Sequence, residues 1–389
     1  PDGAEVLSTS WTSDGERFAM SVGFEDRIEL WLGDLSGHAE KVSNMILNPL
    51  MDDAVKWFPD QQKILVRRIK DRGMAPQKPS IPYGPKILED SGASARSTYE
   101  ARNLLETAYD DELFSYYTQS ELVIYDTKTK NIQVVGPTAT YSSAEISPDG
   151  KYLLVERLKG PWSHEVAWWR FAHDIEVWDL IGEIVKSVAN QPLANEVPVR
   201  GVITGPRNVS WQSTASHTLF WSEALDGGDP MAKADFRDRL MRWEAPFDEQ
   251  PEEVFKAVHR IRGTLWGQED GMLMVYQRER MKRWRYVWLL DVDKGTSKLW
   301  FDHSENDRYS DPGFPIFTQM KNGKYAFIVK EGSVYFRGQG GTKEGDRPFV
   351  DRRDIASGEK ERIFRCAPDK YEYFVDFGKK PNTFIMRSE

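Results

Sequence analysis

The sequence predicts an all-β chain, a seven-bladed β-propeller whose last blade is incomplete, with long inserted loops and a short helix in the second blade. Three observations carry this. A strand-turn-strand unit recurs six times along the 389 residues. Each unit opens on an aromatic or apolar residue followed by a tight-turn signal. Finally, 14 Trp, 15 Tyr and 19 Phe supply the aromatic side chains that favour strands.

The first unit runs from Trp11-Thr12-Ser13-Asp14-Gly15 into RFAMSV and RIELWLGDLSG. In the second, Trp57-Phe58-Pro59-Asp60 leads into KILVRRI. Ile146-Ser147-Pro148-Asp149-Gly150 leads into KYLLVERL and DIEVWDLIGEIVKSV. Trp211 opens SWQSTASHTLFWSEAL, with RLMRWEAPF following. Trp266-Gly267-Gln268-Glu269-Asp270-Gly271 leads into MLMVYQRE and YVWLLDVDKGTSKLWF. The sixth unit is the weakest, at Phe317, with Lys321-Asn322-Gly323 before KYAFIVKEGSVYF. The SPDG- and KNG-like turns place Gly or Asn where paired strands need positive φ. YDTKTKN, DVDKGTSK and DIASGEKE form a second hairpin type, expected at the outer edge of each unit.

Unit starts at 11, 57, 146, 211, 266 and 317 are separated by 46, 89, 65, 55 and 51 residues. A four-stranded blade takes about 40–50 residues, so the spacing fits blades with inserts. The longest gap holds a Pro/Gly/Ser-rich stretch and then STYEARNLLETAYDDELFSYY. There Leu104, Leu105, Ala108 and, after an acidic break, Leu113 and Phe114 suit a short amphipathic helix. A seventh unit starts at Tyr371 and stops after one hairpin. An open propeller edge exposes unpaired backbone groups, so the missing strands are expected from beyond Glu389. Residues 1–389 are thus expected to form one propeller domain. Two β-sandwiches would also use many strands, but similar units in series favour radial repetition.

Composition excludes several classes. The 52 Lys+Arg against 61 Asp+Glu give a net charge of -9, against a general binder of nucleic acid or anionic membrane. No apolar run approaches the roughly 18 residues of a membrane helix, and mean hydropathy is -0.59. Cys366, the one cysteine, permits no internal disulfide. The chain begins at Pro1 with no visible signal peptide and reads as an interior piece of a longer gene product.

Catalytic signatures are mostly missing. No Walker loop, Gly-x-Gly-x-x-Gly or His-Glu-x-x-His occurs, and the nearest approach to a nucleophile elbow, Gly92-Ala93-Ser94-Ala95-Arg96, lacks its closing glycine. Six histidines at 38, 164, 173, 217, 259 and 303 show no ligand spacing, and neither metal nor cofactor is expected. Asp291-x-Asp293-Lys294-Gly295 hints at a calcium loop but lacks the later ligands and reads as a hairpin turn. Strand-start acids such as Asp14 and Asp149 sit in turn tetrads, which argues against a glycosidase-like carboxylate pair.

Three constellations stand out. Arg278, Arg280, Lys282, Arg283 and Arg285, interleaved with Trp284 and Tyr286, suit either capture of an acidic group or a solvated hairpin tip. The aromatic loop GPWSHEVAWWR, 160–170, suits either binding or the sealing of an interdomain contact through Trp162, Trp168 and Trp169. EALDGGDP, 223–230, suits a structured loop.

These stretches resemble the N-terminal propeller of the prolyl oligopeptidase family of serine peptidases, in its glutamyl endopeptidase-like branch. The similar segments are Lys78 to Pro85, ARSTYEARNLL, DDELFSYYTQSEL, Val177-Trp178-Asp179 and Thr204-Gly205-Pro206-Arg207. Glu223 to Pro230, Asn306 to Gly313 and Gly345-Asp346-Arg347-Pro348-Phe349 continue the match in order along the chain. It departs at Ala172, where proline is expected after Arg170-Phe171. The resemblance implies a non-catalytic, substrate-gating propeller. Its partners would be a C-terminal α/β-hydrolase domain carrying the Ser-Asp-His triad after Glu389, and short peptide substrates. Cleavage after glutamate implies a cationic pocket, for which Arg170 and Arg283 are the candidate substrate-binding residues from the propeller side. The alternative is a free-standing propeller that serves as a protein-interaction platform.

Overall fold

The computed structural model describes residues 3–80, 104–378 and 383–389. The elbow-like Gly92 to Arg96 and the segment from Ile81 through the start of the ARSTYEARNLL match lie outside the described residues. Five regular four-stranded antiparallel sheets follow one another along the chain. The first comprises β1 (Glu5–Trp11), β2 (Arg17–Gly23), β3 (Ile28–Asp34) and β4 (Ala39–Ile46). The second comprises β5 (Val55–Trp57), β6 (Lys63–Arg68), β7 (Glu121–Asp126) and β8 (Ile132–Val134). The third has β9 (Tyr141–Ile146), β10 (Leu153–Leu158), β11 (His173–Trp178) and β12 (Ile184–Gln191). In the fourth are β13 (Arg207–Trp211), β14 (Thr218–Ala224), β15 (Asp238–Glu244) and β16 (Glu252–Ala257). The fifth contains β17 (Arg260–Trp266), β18 (Met272–Glu279), β19 (Trp284–Asp291) and β20 (Thr296–Ser304).

The sixth unit departs from this pattern. Its sheet is ordered β21 (Phe314–Pro315), β25 (Ser333–Gly338), β28 (Phe349–Asp354) and β29 (Lys360–Arg365), with β24 (Val329–Lys330) beside β25. The intervening β22 (Phe317–Gln319) and β23 (Tyr325–Phe327) leave that sheet as a separate hairpin, and β26 (Gly341–Thr342) pairs with β27 (Gly345–Asp346). A last hairpin, β30 (Glu372–Phe377) with β31 (Phe384–Ser388), packs on the sixth sheet.

The core explains why the sheets stack around an axis. Successive residues on a strand point to opposite faces, and here both faces are apolar. On β14, Leu219 packs toward the third sheet while Phe220 packs toward the fifth. On β18, Val275 faces the fourth sheet and Met274 the sixth. Leu30 and Val42 meet Ile64 and Val123 between the first two sheets, and Leu65 and Ile124 meet Leu153 and Trp178 between the next two. Each sheet is therefore glued face to face to its neighbours in sequence, which is the packing of a β-propeller. A fully buried side chain such as Trp178 or Leu153 contributes about 1.5–3 kcal/mol through burial alone.

The SPDG turn behaves as its residues require. Gly150 adopts φ 72, its N–H donates to the Ser147 carbonyl, and Ser147 Oγ donates to Asp149. The helix α1 (Ala108–Thr118) lies between β6 and β7, as the amphipathic stretch predicted. Its start differs. Leu104 and Leu105 precede the helix, because Thr107 caps it reciprocally with Asp110. The apparent acidic break, Asp110-Asp111, is its first turn, where carboxylates suit the positive end of the helix dipole.

Candidate functional site on the elaborated face

Antiparallel meanders put alternate connections at opposite ends of the sheets. In the first five sheets, connections between first and second strands, and between third and fourth, share one face. None there exceeds the seven residues of 245–251. The opposite face carries the described ends of the β6–β7 connection, with helix α1, and the large connections 159–172, 192–206, 225–237 and, from the sixth sheet, 339–348. Arg170 and Arg283 both lie on this elaborated face.

The plain face is crossed by the β22–β23 hairpin. Ser13 Oγ of the first sheet donates to the Lys321 carbonyl at 2.8 Å, and Asn322 Nδ2 donates to the Ser213 carbonyl of the fourth at 3.0 Å. Lys324 reaches Glu145 of the third sheet, and Gln268 N–H of the fifth donates to the Phe327 carbonyl at 3.1 Å. One hairpin thus contacts four other sheets, and its tip lies over the axis. Beneath it is a cavity of about 460 Å³ lined by Trp11, Lys56, Trp57, Glu145, Gln319 and Lys324. Desolvation opposes the charge on Lys56, but Glu145 at 2.5 Å and Asp52 at 2.7 Å outweigh it and hold its pKa up. Lys324 has the weaker counter-ion and greater crowding, so desolvation pulls its pKa down.

On the elaborated face, the aromatic loop and helix α1 form one unit. Trp162 packs on Phe114 and stacks on Phe171, and its Nε1–H donates to Ser115 Oγ at 2.7 Å. His164 Nε2 lies 2.8 Å from Asp111. Trp162 therefore seals a contact within the chain, whereas Trp168 and Trp169 lie edge to face with each other and remain 37% and 56% exposed. Arg170 ends the 3-10 turn Trp168–Arg170, half-buried, with its carbonyl accepting from Ala194 N–H.

Between the fifth and sixth sheets lies a cavity of about 740 Å³ whose walls include Arg262, Tyr276, Gln277, Arg278, Arg280 and His303. Arg278 and Arg285 share Glu305, at 2.6 and 2.7 Å. A bulge between Ile261 and Gly263 sets Arg262 apart from the β17 ladder. Behind it is a buried ion network. Asp226 pairs with Arg260 at 2.6 Å and Arg237 at 2.7 Å, and Asp238 pairs with Arg260 and Arg207. Desolvation would raise the Asp226 pKa, but Arg260 and Arg237 hold it below the ordinary value. Gly228, at φ 75, lets this loop lie against the Val202 backbone, where a Cβ would come within 2.0 Å of the carbonyl oxygen. The structured-loop reading of EALDGGDP accounts for these contacts.

No protein-family profile matches the chain. Over 95% of its length, however, it is 34% identical to a rice protein (Oryza sativa subsp. japonica) named probable glutamyl endopeptidase, chloroplastic, and 33% identical to an Arabidopsis thaliana protein of the same name. The chain is thus similar, along nearly its whole length, to proteins named as glutamyl endopeptidases. It spans 42% and 40% of those two relatives. A solved structure from a study of two prolyl endopeptidases has the same fold, with 15% identity and a TM-score of 0.51, over 99% of this chain and 46% of that one.

Within this propeller the two predicted residues stand on different sheets: Arg170 ends the 3-10 turn before β11 of the third, and Arg283 belongs to the β18–β19 turn of the fifth. Arg283 sits at the tip of the β18–β19 turn, exposed, with φ 51, and its Nη1–H donates to Asn306 Oδ1 at 3.2 Å. It does not line the 740 Å³ cavity, whereas Arg278, Arg280 and Arg285 from the same basic run do. The sequence reading missed Arg262, Tyr276 and His303. A usable signal was strand register: Arg278 pairs with Arg285, and Arg285 with His303, so all three share one face of the fifth sheet.

Proposed function

We propose that the chain is the substrate-gating propeller of a serine peptidase that cleaves peptides after glutamate. The Ser-Asp-His triad would belong to an α/β-hydrolase domain outside residues 1–389. The observation that carries this is the 34% identity, over 95% of the chain, to a protein named as a glutamyl endopeptidase. The architecture supports a steric role. The β22–β23 hairpin obstructs the axis on the plain face, so peptides would reach the interior from the elaborated face. Folded proteins would be too wide to pass its inserts. Arg170 and Arg283 would act there as electrostatic contacts for acidic substrates, not as catalytic groups. A fluorophosphonate probe that labels activated serines tests the assignment. The purified 389-residue chain should stay unlabelled and hydrolyse no glutamyl peptide. Labelling of this chain would overturn the reading.

A further inference from the structure

We propose that the cavity between the fifth and sixth sheets is a carboxylate-binding site that anchors an acidic peptide. The identity of the ligand rests on the peptide-handling function proposed above, whereas the site itself rests on four observations.

The first is charge. Arg262, Arg278, Arg280 and Arg285 line the cavity against Glu305 and Asp311. Glu305 is committed to Arg278 and Arg285, while Asp311 Oδ1 accepts from Gly313 N–H. The second is that Arg262 has no ion-pair partner among the described residues. Its surroundings instead multiply like charge. Desolvation, then Arg278, Arg260, Arg207 and Arg280, all push its pKa down. Bringing guanidinium groups together costs free energy unless an anion is to be shared between them.

The third observation is a set of buried polar atoms with no hydrogen-bond partner. Tyr276 Oη and both ring nitrogens of His303 are shut off from solvent and unpaired among the described residues. Tyr276 presents a hydroxyl, and neutral His303 presents one N–H and one acceptor nitrogen. Buried donors left unmade cost about 1–3 kcal/mol each, which a ligand oxygen would recover. The fourth is shape. Leu265, Phe301 and Phe314 give the cavity an apolar wall, suited to the stem that carries the anion. A carboxylate offers two in-plane acceptor oxygens to a guanidinium fork. A volume near 740 Å³ is more than one carboxylate fills, so neighbouring peptide residues would enter with it.

The carboxylate could come from a glutamate or aspartate side chain, or from a peptide C-terminus. The test is fluorescence anisotropy of labelled hexapeptides on the 389-residue chain. One peptide carries a central Glu with an amidated C-terminus, the second replaces Glu by Gln, and the third is the Gln peptide with a free C-terminus. At least one carboxylate-bearing peptide should bind tenfold or more tightly than the amidated Gln peptide, and which one does so identifies the source. Arg262→Gln should abolish that preference, and Tyr276→Phe should weaken it severalfold. Lys128→Gln, exposed in the β7–β8 turn of the second sheet, should leave it intact. Arg262 makes no structural ion pair, so the melting temperature of Arg262→Gln should stay within about 2 °C of the parent. Equal binding of all three peptides, or an undiminished preference in Arg262→Gln, would overturn the proposal. Because no turnover is read, a labelled serine on this chain would overturn the gating function and leave the site standing.

Discussion

Lys324, just beyond the β22–β23 turn, places its Nζ 3.3 Å from the Glu145 carboxylate on β9, joining the sixth unit to the third across the propeller axis. Glu145 also holds Lys56 at 2.5 Å, so one carboxylate serves two ammonium groups from different sheets. Glu145→Gln should consequently cost more than Lys324→Ala. The first leaves two crowded cations with a single acid, Asp52, between them, whereas the second leaves the Lys56–Glu145 pair intact. About 2–4 kcal/mol against about 1 kcal/mol is expected, read by urea unfolding of the two variants. Equal losses would mean that the shared carboxylate does not organise the axis.

The Asp226 network predicts an acid limb of stability. Its folded-state pKa lies below the ordinary value of 3.8, despite desolvation, because Arg260 and Arg237 hold the charged form. A lowered carboxylate contributes stability that is fully present above about pH 4–5 and is lost as pH falls through the folded value. Asp226→Asn should flatten this limb and cost about 3–5 kcal/mol at pH 7, since Arg260 would be left short of a buried counter-ion. Thermal melts from pH 2 to pH 7 on parent and variant measure both effects.

Leu153 is fully buried where the second and third sheets meet. Leu153→Ala should destabilise the chain by about 2–5 kcal/mol, the sum of lost burial and a residual cavity. A change under 1 kcal/mol in chemical denaturation would show that the interface can collapse around the gap.

Trp162 should govern local order more than global stability. Its ring bridges Phe114 and Phe171, and its Nε1–H holds Ser115. Trp162→Ala should raise amide exchange across helix α1, 108–118, by tenfold or more while the five regular sheets keep their protection. Uniform loss of protection throughout the molecule would contradict this.

The strand pattern was open to reading because both physical requirements are local. A tight turn needs glycine at positive φ, as at Gly150, and a strand buried on both faces needs consecutive apolar residues, as at Leu219 and Phe220. The helix was visible from Leu113 and Phe114, although its start was fixed by the Thr107–Asp110 cap and not by apolar spacing. The cavity was not visible. Arg262 reads as one polar residue in an alternating strand, and its character comes from a bulge and from Arg207, 55 positions earlier and in another sheet. The basic run drew attention to Arg283, whose position at a turn tip directs it to Asn306, while its neighbours Arg278 and Arg285 turn inward to Glu305. The hairpin over the axis was equally hidden, since its partners Ser13, Glu145 and Ser213 belong to three other units.

That hairpin gives the sharpest test of gating. Its tip is held by the Asn322 amide on Ser213, the Ser13 hydroxyl on the Lys321 carbonyl, and the Lys324–Glu145 pair. Asn322→Ala with Lys324→Ala removes two of the three contacts yet leaves the β22–β23 pairing of Phe317 with Phe327 untouched. The tip should then open on the plain face while the sheets remain folded. Introduced into the complete peptidase proposed above, the double variant should leave kcat/KM for a short glutamyl peptide within about twofold. It should raise the rate on a long unstructured polypeptide several-fold, because a second entrance now admits it. The Lys324→Ala change alone should have a smaller effect, since Asn322 still anchors the tip. Unchanged selectivity in the double variant, with hydrogen exchange showing that the hairpin had in fact loosened, would mean that substrate size is set elsewhere than at the axis.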